Sequence, residues 1–533
     1  MSAQPRSRIG SAFGVWRPLR LPMFRNLLIA NVFGDVGTFM QSVGAAWLML
    51  SLNAGPMYVA LTQTASALPF FLFALPAGAI GDICDRRKLI LFTEVWMAGL
   101  AIVLAVVTVG GLITPWLLLA LTFAISAGDA FEAPTWRALL PELVDKEDLE
   151  AASALNGIEF NLARAVGPGL GGVLIATAGV GAAFIINAAS FIGLIWVVAR
   201  WKRPHRKRTT PPEKVIGATV AAIRYVRYSP GIRALILRSG VVMFFASALL
   251  ALLPTVAHRL SGSAVTFGLL LGCFGFGAML GALVMQPARS RWSTEVVASG
   301  GVVILGVTTI AAGALHELPL LSVVMLVGGA AWIIFISLVS ALVQKLAPDW
   351  VRARVLAVFL LVFQGGMAAG SALWGAVAEH AGIAIALMWA GLGSIATVAL
   401  ALRWRLPDTT MDVTPWNHWR MPAIVGDLAL EFESGPVLVT VEYVVNRERA
   451  SEFSKAMHRY GRTRRRDGAS QWGIFRDTED SNRYLEMFLV NSWGEHLRQH
   501  ERVTKADREL EERIRSYTLK EPTVRHLIYV APH

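Results

Sequence analysis

The chain has 533 residues, of which 55% are hydrophobic and 16% charged, and its net charge is +12. Soluble globular domains carry about 25% charged residues, so this composition excludes an ordinary soluble protein and predicts a polytopic helical membrane protein. The positive charge does not require nucleic acid as a partner, because the cytoplasmic loops of membrane proteins are basic as a rule.

Twelve apolar segments have about the length, roughly 20 residues, that a helix needs to cross a bilayer. We predict spans at residues 24–51, 57–80, 89–110, 116–137, 152–177, 182–200, 234–257, 264–286, 295–315, 319–342, 353–378 and 382–404. A basic segment, 201–233, separates a first half of six spans, 22–200, from a second half of six, 234–405. Equal halves are typical of transporters built from repeats.

Lysine and arginine are distributed unequally between the loops. The N-terminal segment 1–21 and the loops predicted on its side contain nearly all of them, whereas the opposite turns contain only Arg259. Positive charge is retained on the cytoplasmic side, so we predict that both termini are cytoplasmic and that no signal peptide is cleaved. In the basic middle segment, residues 217–228 are a candidate interfacial helix with Arg224 and Arg227 toward the lipid headgroups.

The turn between the second and third predicted spans reads GAIGDICDRRKLI over residues 78–90. Its charges place it in water or at the headgroups, because charge is costly in hydrocarbon. It resembles the loop motif of the major facilitator superfamily, G-x-x-x-D-x-x-G/D-R-R/K-x-x-L. The matching residues are Gly78, Asp82, Asp85, Arg86 and Arg87. Ile83 departs from the motif, where the superfamily often has Arg, and Ile90 replaces the last Leu conservatively.

The resemblance implies that this turn is part of an inner gate. Together with Arg137 at the base of the fourth span, its charges would join the two halves in one state of the transport cycle and separate in the other. The alternative is an ordinary solvated turn.

The fifth predicted span contains GPGLGG, which is similar to the G-P-x-x-G-G motif of superfamily antiporters, most of which are exporters. Gly167, Gly171 and Gly172 allow neighbouring helices to approach closely, and Pro168 permits a kink. The alternative is tight packing without a role in coupling. The surrounding run NGIEFNLARAVGPGLGG and the segment PTWRALLPELV are most similar to the enterobactin-exporter and macrolide-efflux branch.

Ionisable residues within the spans are candidates for function. Asp35 lies near the middle of the first span, and Asp129 and Glu132 share a face of the fourth, since they are three residues apart. The resemblance implies that the first and fourth spans line a central cavity, where a desolvated carboxylate can take up a proton. Arg164 on the fifth span can neutralise one acid, and the alternative for all four is an inert structural pair. Two further acids are predicted to be structural and nearer the cytoplasmic face: Glu94 and Glu159.

The composition becomes polar after residue 405, and we predict a linker at 406–435 and a cytoplasmic domain at 436–533. The predicted order is β-α-β-β-α-β, typical of a ferredoxin-like fold. Its elements are strands at 437–445, 471–476, 484–490 and 524–530 and helices at 447–466 and 493–517. The domain resembles the antibiotic-biosynthesis-monooxygenase and haem-degrading group, which forms dimeric α+β barrels.

Some enzymes of that group use an Asn, a Trp and a His, for which Asn491, Trp493, His496 and His500 can be compared. Their spacing does not assemble a site. We therefore predict that the domain mediates dimerisation or regulation, or lays a basic helix against the membrane or a partner, and we expect no catalytic residue, cofactor or metal.

These patterns together favour an H⁺-coupled exporter of a small molecule, a drug or a siderophore-like metabolite, in the bacterial inner membrane. It would work by alternating access, with substrate and protons as its ligands. The alternatives are an importer of the same fold and a transporter whose C-terminal domain is a sensor or an enzyme. The direction of transport rests on the resemblance alone.

Overall fold

The computed structural model describes residues 16–145, 147–201, 215–406, 412–414, 416 and 434–530. Residues 1–15 of the predicted N-terminal segment, most of the basic stretch after residue 201 and most of the linker 406–435 lie outside this part of the chain. The chain divides into two compact units. The first unit comprises Met1–Thr210, Ile236–Val339 and Phe359–Arg405, and the second comprises Pro211–Leu235, Ser340–Val358 and Leu406–His533.

Long helices account for all twelve predicted spans. The first half contains α1 (Pro22–Ser51), α2 (Pro56–Ile83), α3 (Arg86–Val109), α4 (Pro115–Leu143), α5 (Leu149–Ala178) and α6 (Val180–Arg200). After α7 (Val215–Tyr228), the second half contains α8 (Pro230–Ser261), α9 (Ala264–Arg291), α10 (Thr294–Ala314), α11 (Leu318–Leu346), α12 (Arg352–Ala381) and α13 (Ile383–Ala396). A 3-10 turn, Thr397–Ala399, joins α13 to the short α14 (Leu400–Arg403).

In the described part of the chain, ten helices are long and apolar enough to cross a membrane. Helices α1 and α5 are not among these ten, and they are the two that carry Asp35 and Glu159. We call the end of the bundle with the turns at 52–55, 110–114, 179, 262–263, 315–317 and 382 the short-turn end.

Two glycines show the internal repeat at the level of the backbone. Gly179 joins α5 to α6 with φ +81°, and Gly382 joins α12 to α13 with φ +93°. Side chains other than glycine rarely adopt this conformation. The fifth and sixth helices of each half are thus connected by the same one-residue turn, as expected for two halves that descend from one repeat.

Glycines also bring α5 of the first half directly against α9 of the second. A β-carbon on Gly172 would lie 2.7 Å from the carbonyl oxygen of Ala264, and one on Gly268 would lie 2.5 Å from that of Pro168. Further along the same contact, a β-carbon on Gly275 would lie 2.9 Å from Cα of Ala165. The two backbones touch without intervening side chains, which is how helices associate where the solvent is lipid.

The second unit contains the folded C-terminal domain, whose elements are β1 (Val437–Val444), α15 (Ala450–Asp467), β2 (Ala469–Arg476), β3 (Arg483–Val490), α16 (Trp493–Arg502), α17 (Lys505–Arg515) and β4 (Thr523–Ile528). Its antiparallel sheet has the strand order β2-β3-β1-β4. This is the order of a ferredoxin-like fold, and it confirms the fold class predicted from the sequence.

The predicted single helix at 493–517 is wrong, since the chain forms two helices there. Thr504 interrupts the first and caps the second: its hydroxyl accepts from the Asp507 amide while the Asp507 carboxylate accepts from the Thr504 amide. This reciprocal capping box starts a new helix, and the extended backbone of Val503 redirects the chain before it.

The contact between α5 and α9 generates a stability prediction. We expect Gly268→Leu to lower the thermal unfolding midpoint of the purified protein in detergent, because the side chain must push α9 away from the Pro168 carbonyl. Overpacking of this kind costs about 1–3 kcal/mol. Gly169→Leu is the matched control, since no atom lies within 4 Å of a β-carbon there. Equal midpoints for the two variants would contradict the contact.

Candidate functional site

Five acidic side chains of the first half lie close enough to interact in the interior of the bundle. They come from four helices: Asp35 on α1, Glu94 on α3, Asp129 and Glu132 on α4, and Glu159 on α5. Asp35 and Glu159 are direct neighbours, as are Glu94 and Glu132. We call these five residues the acid cluster.

The acid cluster is poorly supplied with hydrogen-bond donors. Thr93 donates its hydroxyl to Oε2 of Glu132 at 2.7 Å. Glu94 and Glu159 are 2% and 7% exposed, and among the described residues no group hydrogen bonds to Oε2 of Glu94 or Oε1 of Glu159. An unsatisfied buried acceptor costs about 1–3 kcal/mol, and adjacent carboxylates repel each other. The arrangement favours binding of protons or of a cationic group.

The sequence-based expectation treated Glu94 and Glu159 as structural residues nearer the cytoplasmic face, and the structure brings Glu94 beside Glu132 and Glu159 beside Asp35. The predicted fifth span began at residue 152, whereas α5 begins at Leu149. Glu159 is therefore the eleventh residue of its helix, about 15 Å along the axis at 1.5 Å per residue.

Arg164 lies at the boundary between the two halves. A β-carbon on Gly275 of α9 would meet the Arg164 carbonyl oxygen at 2.7 Å. In the part of the chain that the structure describes, its guanidinium forms no ion pair with the acid cluster. The predicted neutralisation of an acid by Arg164 is therefore not seen in this conformation.

The Gly-Pro motif of α5 lies between α1 and α9. A β-carbon on Gly167 would lie 2.7 Å from Cβ of Phe39, and one on Gly171 would lie 3.0 Å from Cα of Met40. These contacts are one turn beyond Asp35 on α1, and Gly172 on the same stretch touches α9. The motif thus connects a helix of the acid cluster with a helix of the second half.

The charged turn between α2 and α3 connects helices within the first half. The Asp85 carboxylate accepts from the Arg87 amide and caps α3. Arg86 pairs with Glu142 near the end of α4 at 2.6 Å, and the Arg87 guanidinium donates to the carbonyl oxygens of Val198 and Ala199 at the end of α6. Two residues of the predicted gate motif, Arg86 and Arg87, therefore join α3 to α4 and α6.

The remaining gate residues lie on described helices, but their side chains are outside the described part of the structure: Gly78, Asp82 and Arg137. A contact of the turn with the second half therefore stays a prediction.

In the second unit, α7 packs against the C-terminal domain. Arg224 donates to Oε1 of Glu495 at 2.7 Å, and Arg502 donates to the same oxygen at 2.7 Å. The predicted direction of Arg224 toward lipid headgroups is wrong, because its guanidinium pairs with the partly buried carboxylate of Glu495. Burial opposes ionisation of Glu495, but Arg502 and Arg224 together hold its pKa below its usual range.

The C-terminal domain brings together three of the four residues compared with monooxygenase sites. The ring of Trp493 lies 5.5 Å from that of His496, and the rings of His496 and His500 are 4.7 Å apart. Asn491 is exposed on the surface. The sequence comparison missed His526 on β4, whose ring lies 4.8 Å from that of His496. Burial and the neighbouring histidines lower the pKa of His496 to about 3.

Comparison with known families matches nearly the whole chain. The family described as transmembrane secretion effector, within the major facilitator superfamily, matches residues 13–532, including the C-terminal domain. The chain belongs to this family. It is therefore a membrane transporter, as the two sequence motifs indicated.

Individual relatives agree with this family. The chain is 27% identical over 377 residues to the multidrug efflux pump Tap of Mycolicibacterium fortuitum, a match that covers 67% of this chain and 89% of Tap. It is 28% identical over 271 residues to the enterobactin exporter EntS of Salmonella typhimurium, covering 49% of this chain and 63% of EntS.

Solved structures show the same fold at low identity. The nucleoside transporter NupG superposes with a TM-score of 0.59 at 14% identity and covers 72% of this chain and 99% of NupG. A bacterial homologue of the lysosomal transporter Spinster in an inward-facing conformation gives a TM-score of 0.55 at 14% identity, over 73% of this chain and 95% of that one. The chain is a secondary transporter with the twelve-helix fold of this superfamily.

The ion pair between Arg86 and Glu142 can be tested by exchanging the charges. We expect Glu142→Arg to lower the free energy of unfolding by about 2 kcal/mol, because it replaces a charge-assisted hydrogen bond with repulsion. The double variant Arg86→Glu with Glu142→Arg should recover part of this loss in thermal unfolding of the purified protein.

Glu147→Arg is the control for this exchange, since the Glu147 side chain is 80% exposed and exposed pairs contribute little. A double variant that is less stable than Glu142→Arg alone would show that the pair does not stabilise the turn.

Proposed function

We propose that this protein exports a small molecule across the bacterial inner membrane in exchange for protons, by alternating access of its two halves. The observation that carries the proposal is the acid cluster, in which buried carboxyl oxygens of Glu94 and Glu159 have no hydrogen-bond partner among the described residues. Such a cluster is unfavourable when fully ionised, and proton binding relieves the repulsion. A proton-driven transporter requires a buried site of this kind.

Coupling follows from the position of the cluster beside the boundary between the halves. Asp35 lies on α1, which packs against the glycines of α5, and α5 in turn contacts α9. When protons bind or leave, the repulsion between Asp35 and Glu159 changes. A change in the packing of α1 on α5 is then passed to α9, because the backbones are in direct contact. Two packings of these helices would correspond to the two states of the transporter.

The direction and the class of substrate rest on the relatives. Tap is named for efflux of several drugs and EntS for export of enterobactin. The Gly-Pro motif, similar to that of superfamily antiporters, agrees with export. We therefore propose a drug or a siderophore-like metabolite as substrate, and we keep import by the same fold as the alternative. A cationic group on the substrate would compete with protons for the acid cluster.

The proposed orientation places both termini in the cytoplasm and the short-turn end outside. Contacts between the halves support an inward-facing state in this orientation. Near the short-turn end, the ring centres of Trp47 on α1 and His258 on α8 are 5.7 Å apart. The Met57 amide of α2 donates to Oε2 of Glu379 of α12 at 3.3 Å. With these contacts formed, access to the acid cluster would be from the basic, cytoplasmic end.

We propose that the C-terminal domain regulates or dimerises the transporter rather than catalysing a reaction. Helix α16 is attached to α7 through Arg224 and Glu495, and the Arg502 guanidinium lies 4.4 Å over the ring of Trp350, between α11 and α12. The face of the sheet that is turned away from the helices exposes large apolar side chains. They are Phe475, Leu485 and Leu527. An apolar open face of this kind suits a second copy of the domain.

Proton coupling can be measured in inverted membrane vesicles with an imposed proton gradient. We expect Asp35→Asn and Glu159→Gln to retain substrate binding and exchange but to lose most gradient-driven transport, because an amide cannot carry a proton. Glu147→Gln is the matched control, because the Glu147 side chain is exposed and does not belong to the acid cluster. Transport by Asp35→Asn that stayed fully gradient-dependent would refute its assignment as a proton carrier.

The dimer can be tested by placing a charge on the open sheet face. We expect Leu527→Lys to shift the purified full-length protein from dimer to monomer in multi-angle light scattering. The side chain of Leu527 is 50% exposed in a single chain, and a buried lysine would oppose association. Leu519→Lys is the control, an exposed leucine outside the sheet. A wild-type protein that is already monomeric would exclude dimerisation through this face.

A further inference from the structure

The side chains of three histidines of the C-terminal domain lie close together. His496 and His500 are on α16, and His526 is on β4. One ring nitrogen of each lies within 4.8 Å of the others. The closest pair, Nε2 of His496 and Nε2 of His500, is 3.2 Å apart. None of these side chains takes part in the transport mechanism proposed above.

Helix spacing and strand register bring these three histidines together. Residues four apart share a face of a helix, so His496 and His500 project together from α16. In the sheet, His526 pairs with Val439, and directly opposed residues of antiparallel strands project from the same face. Val439 is buried in the core between sheet and helices, so His526 is directed toward the helical layer, where α16 lies.

The spacing of the nitrogens is close to that of a tetrahedral metal site. Imidazole nitrogens bind Zn²⁺ at 2.0–2.1 Å, so two ligands at a tetrahedral angle are about 3.3 Å apart. The 3.2 Å between His496 and His500 agrees with this value. The remaining distances, up to 4.8 Å, are longer than this ligand spacing, so binding by all three nitrogens requires rotation of a side chain.

A second group orients the most buried histidine as a metal ligand requires. Nδ1 of His496 lies 3.3 Å from Oε1 of Gln499. A carbonyl oxygen is only an acceptor, so Nδ1 carries the hydrogen and Nε2 presents its lone pair toward His500. Histidines that bind a metal usually donate their other ring N–H to an acceptor, and this hydrogen bond fixes the tautomer.

The surroundings are compatible with an added positive charge. Arg464, a cation close enough to act on His496 and His500, pairs with Glu486 at 3.2 Å, and Arg502 pairs with Glu495 at 2.7 Å. Trp493 lies against His496 and His526 at 5.5 and 6.4 Å and provides an apolar wall. His500 and His526 are only partly buried, so an ion could enter from the surface.

We propose that His496, His500 and His526 bind one first-row divalent metal ion, such as Zn²⁺, with a fourth position open to water or an anion. Three imidazoles suit zinc, copper, nickel and iron better than magnesium or calcium, which prefer oxygen. This departs from the sequence-based expectation that the domain binds no metal. It does not depend on the proposed transport activity.

The test uses the full-length protein in detergent, purified through a tag without histidine and treated with a chelator. Zn²⁺ titration by calorimetry, and metal analysis after gel filtration, should give one ion per chain. Co²⁺ should give the intense visible absorption of a tetrahedral site with nitrogen ligands. The thermal unfolding midpoint should rise with Zn²⁺, because the ion binds the folded state.

Single substitutions locate the site. We expect His500→Gln and His526→Gln to weaken Zn²⁺ binding more than 100-fold, and Gln499→Leu to weaken it about 10- to 100-fold by releasing the tautomer of His496. His458→Gln is the matched control, an exposed histidine on α15 of the same domain. It should bind one ion with unchanged affinity.

Two results would overturn the proposal. One is a wild-type protein that retains less than a tenth of an ion per chain and shows no Zn²⁺-dependent rise in its unfolding midpoint. The other is Zn²⁺ binding that His500→Gln and His526→Gln leave intact while circular dichroism shows them folded. If these variants unfold, X-ray absorption of the Zn²⁺-loaded wild type decides the question, since the proposal requires three imidazole ligands.

Discussion

The backbone of α5 is in direct contact with α1 on one side and with α9 on the other, and both contacts exist only because glycine occupies the touching positions. Lipid gives helices no hydrophobic reason to associate, so close van der Waals packing must hold them together. Gly167 and Gly171 provide it toward α1, and Gly172 provides it toward α9. A side chain at any of these positions would separate a pair of helices, and α5 could no longer connect the two halves.

This packing explains how the acid cluster is tolerated. Buried carboxyl oxygens without a partner among the described residues, such as Oε2 of Glu94 and Oε1 of Glu159, destabilise a bundle unless another state or a ligand compensates. A proton or a cation that binds one conformation better than the other shifts the population between them by its difference in affinity. In the proposed mechanism the cluster therefore destabilises one conformation and couples proton binding to the transport cycle. Because α1 and α5 carry Asp35 and Glu159 as well as the glycine contacts, a change of charge at these two acids would alter the packing of the two helices.

The sequence predicted the fold to within a few residues per helix, since hydropathy and positive charge are local properties. It placed Asp35, Asp129 and Glu132 on the correct helices, but it could not bring Glu94 and Glu159 to them. That proximity depends on how α3, α4 and α5 pack and on where each helix starts. The break at Thr504 was missed because a capping box inside a polar, helix-favouring run has little effect on periodicity. His526 was missed because its position depends on strand register, which joins residues far apart in the chain.

Helix α16 carries both the contacts with Arg224 and Trp350 and two of the three proposed metal ligands. Glu495 and Arg502 are seven residues apart and so share one face, which contacts Arg224 and Trp350. His496 and His500 occupy an adjacent face, which is turned toward β4. An ion that draws these histidines toward His526 would pull α16 against the sheet, while the opposite contacts hold it to α7 and the residues between α11 and α12. The proposed metal ligands and the contacts with Arg224 and Trp350 therefore lie on two faces of one helix.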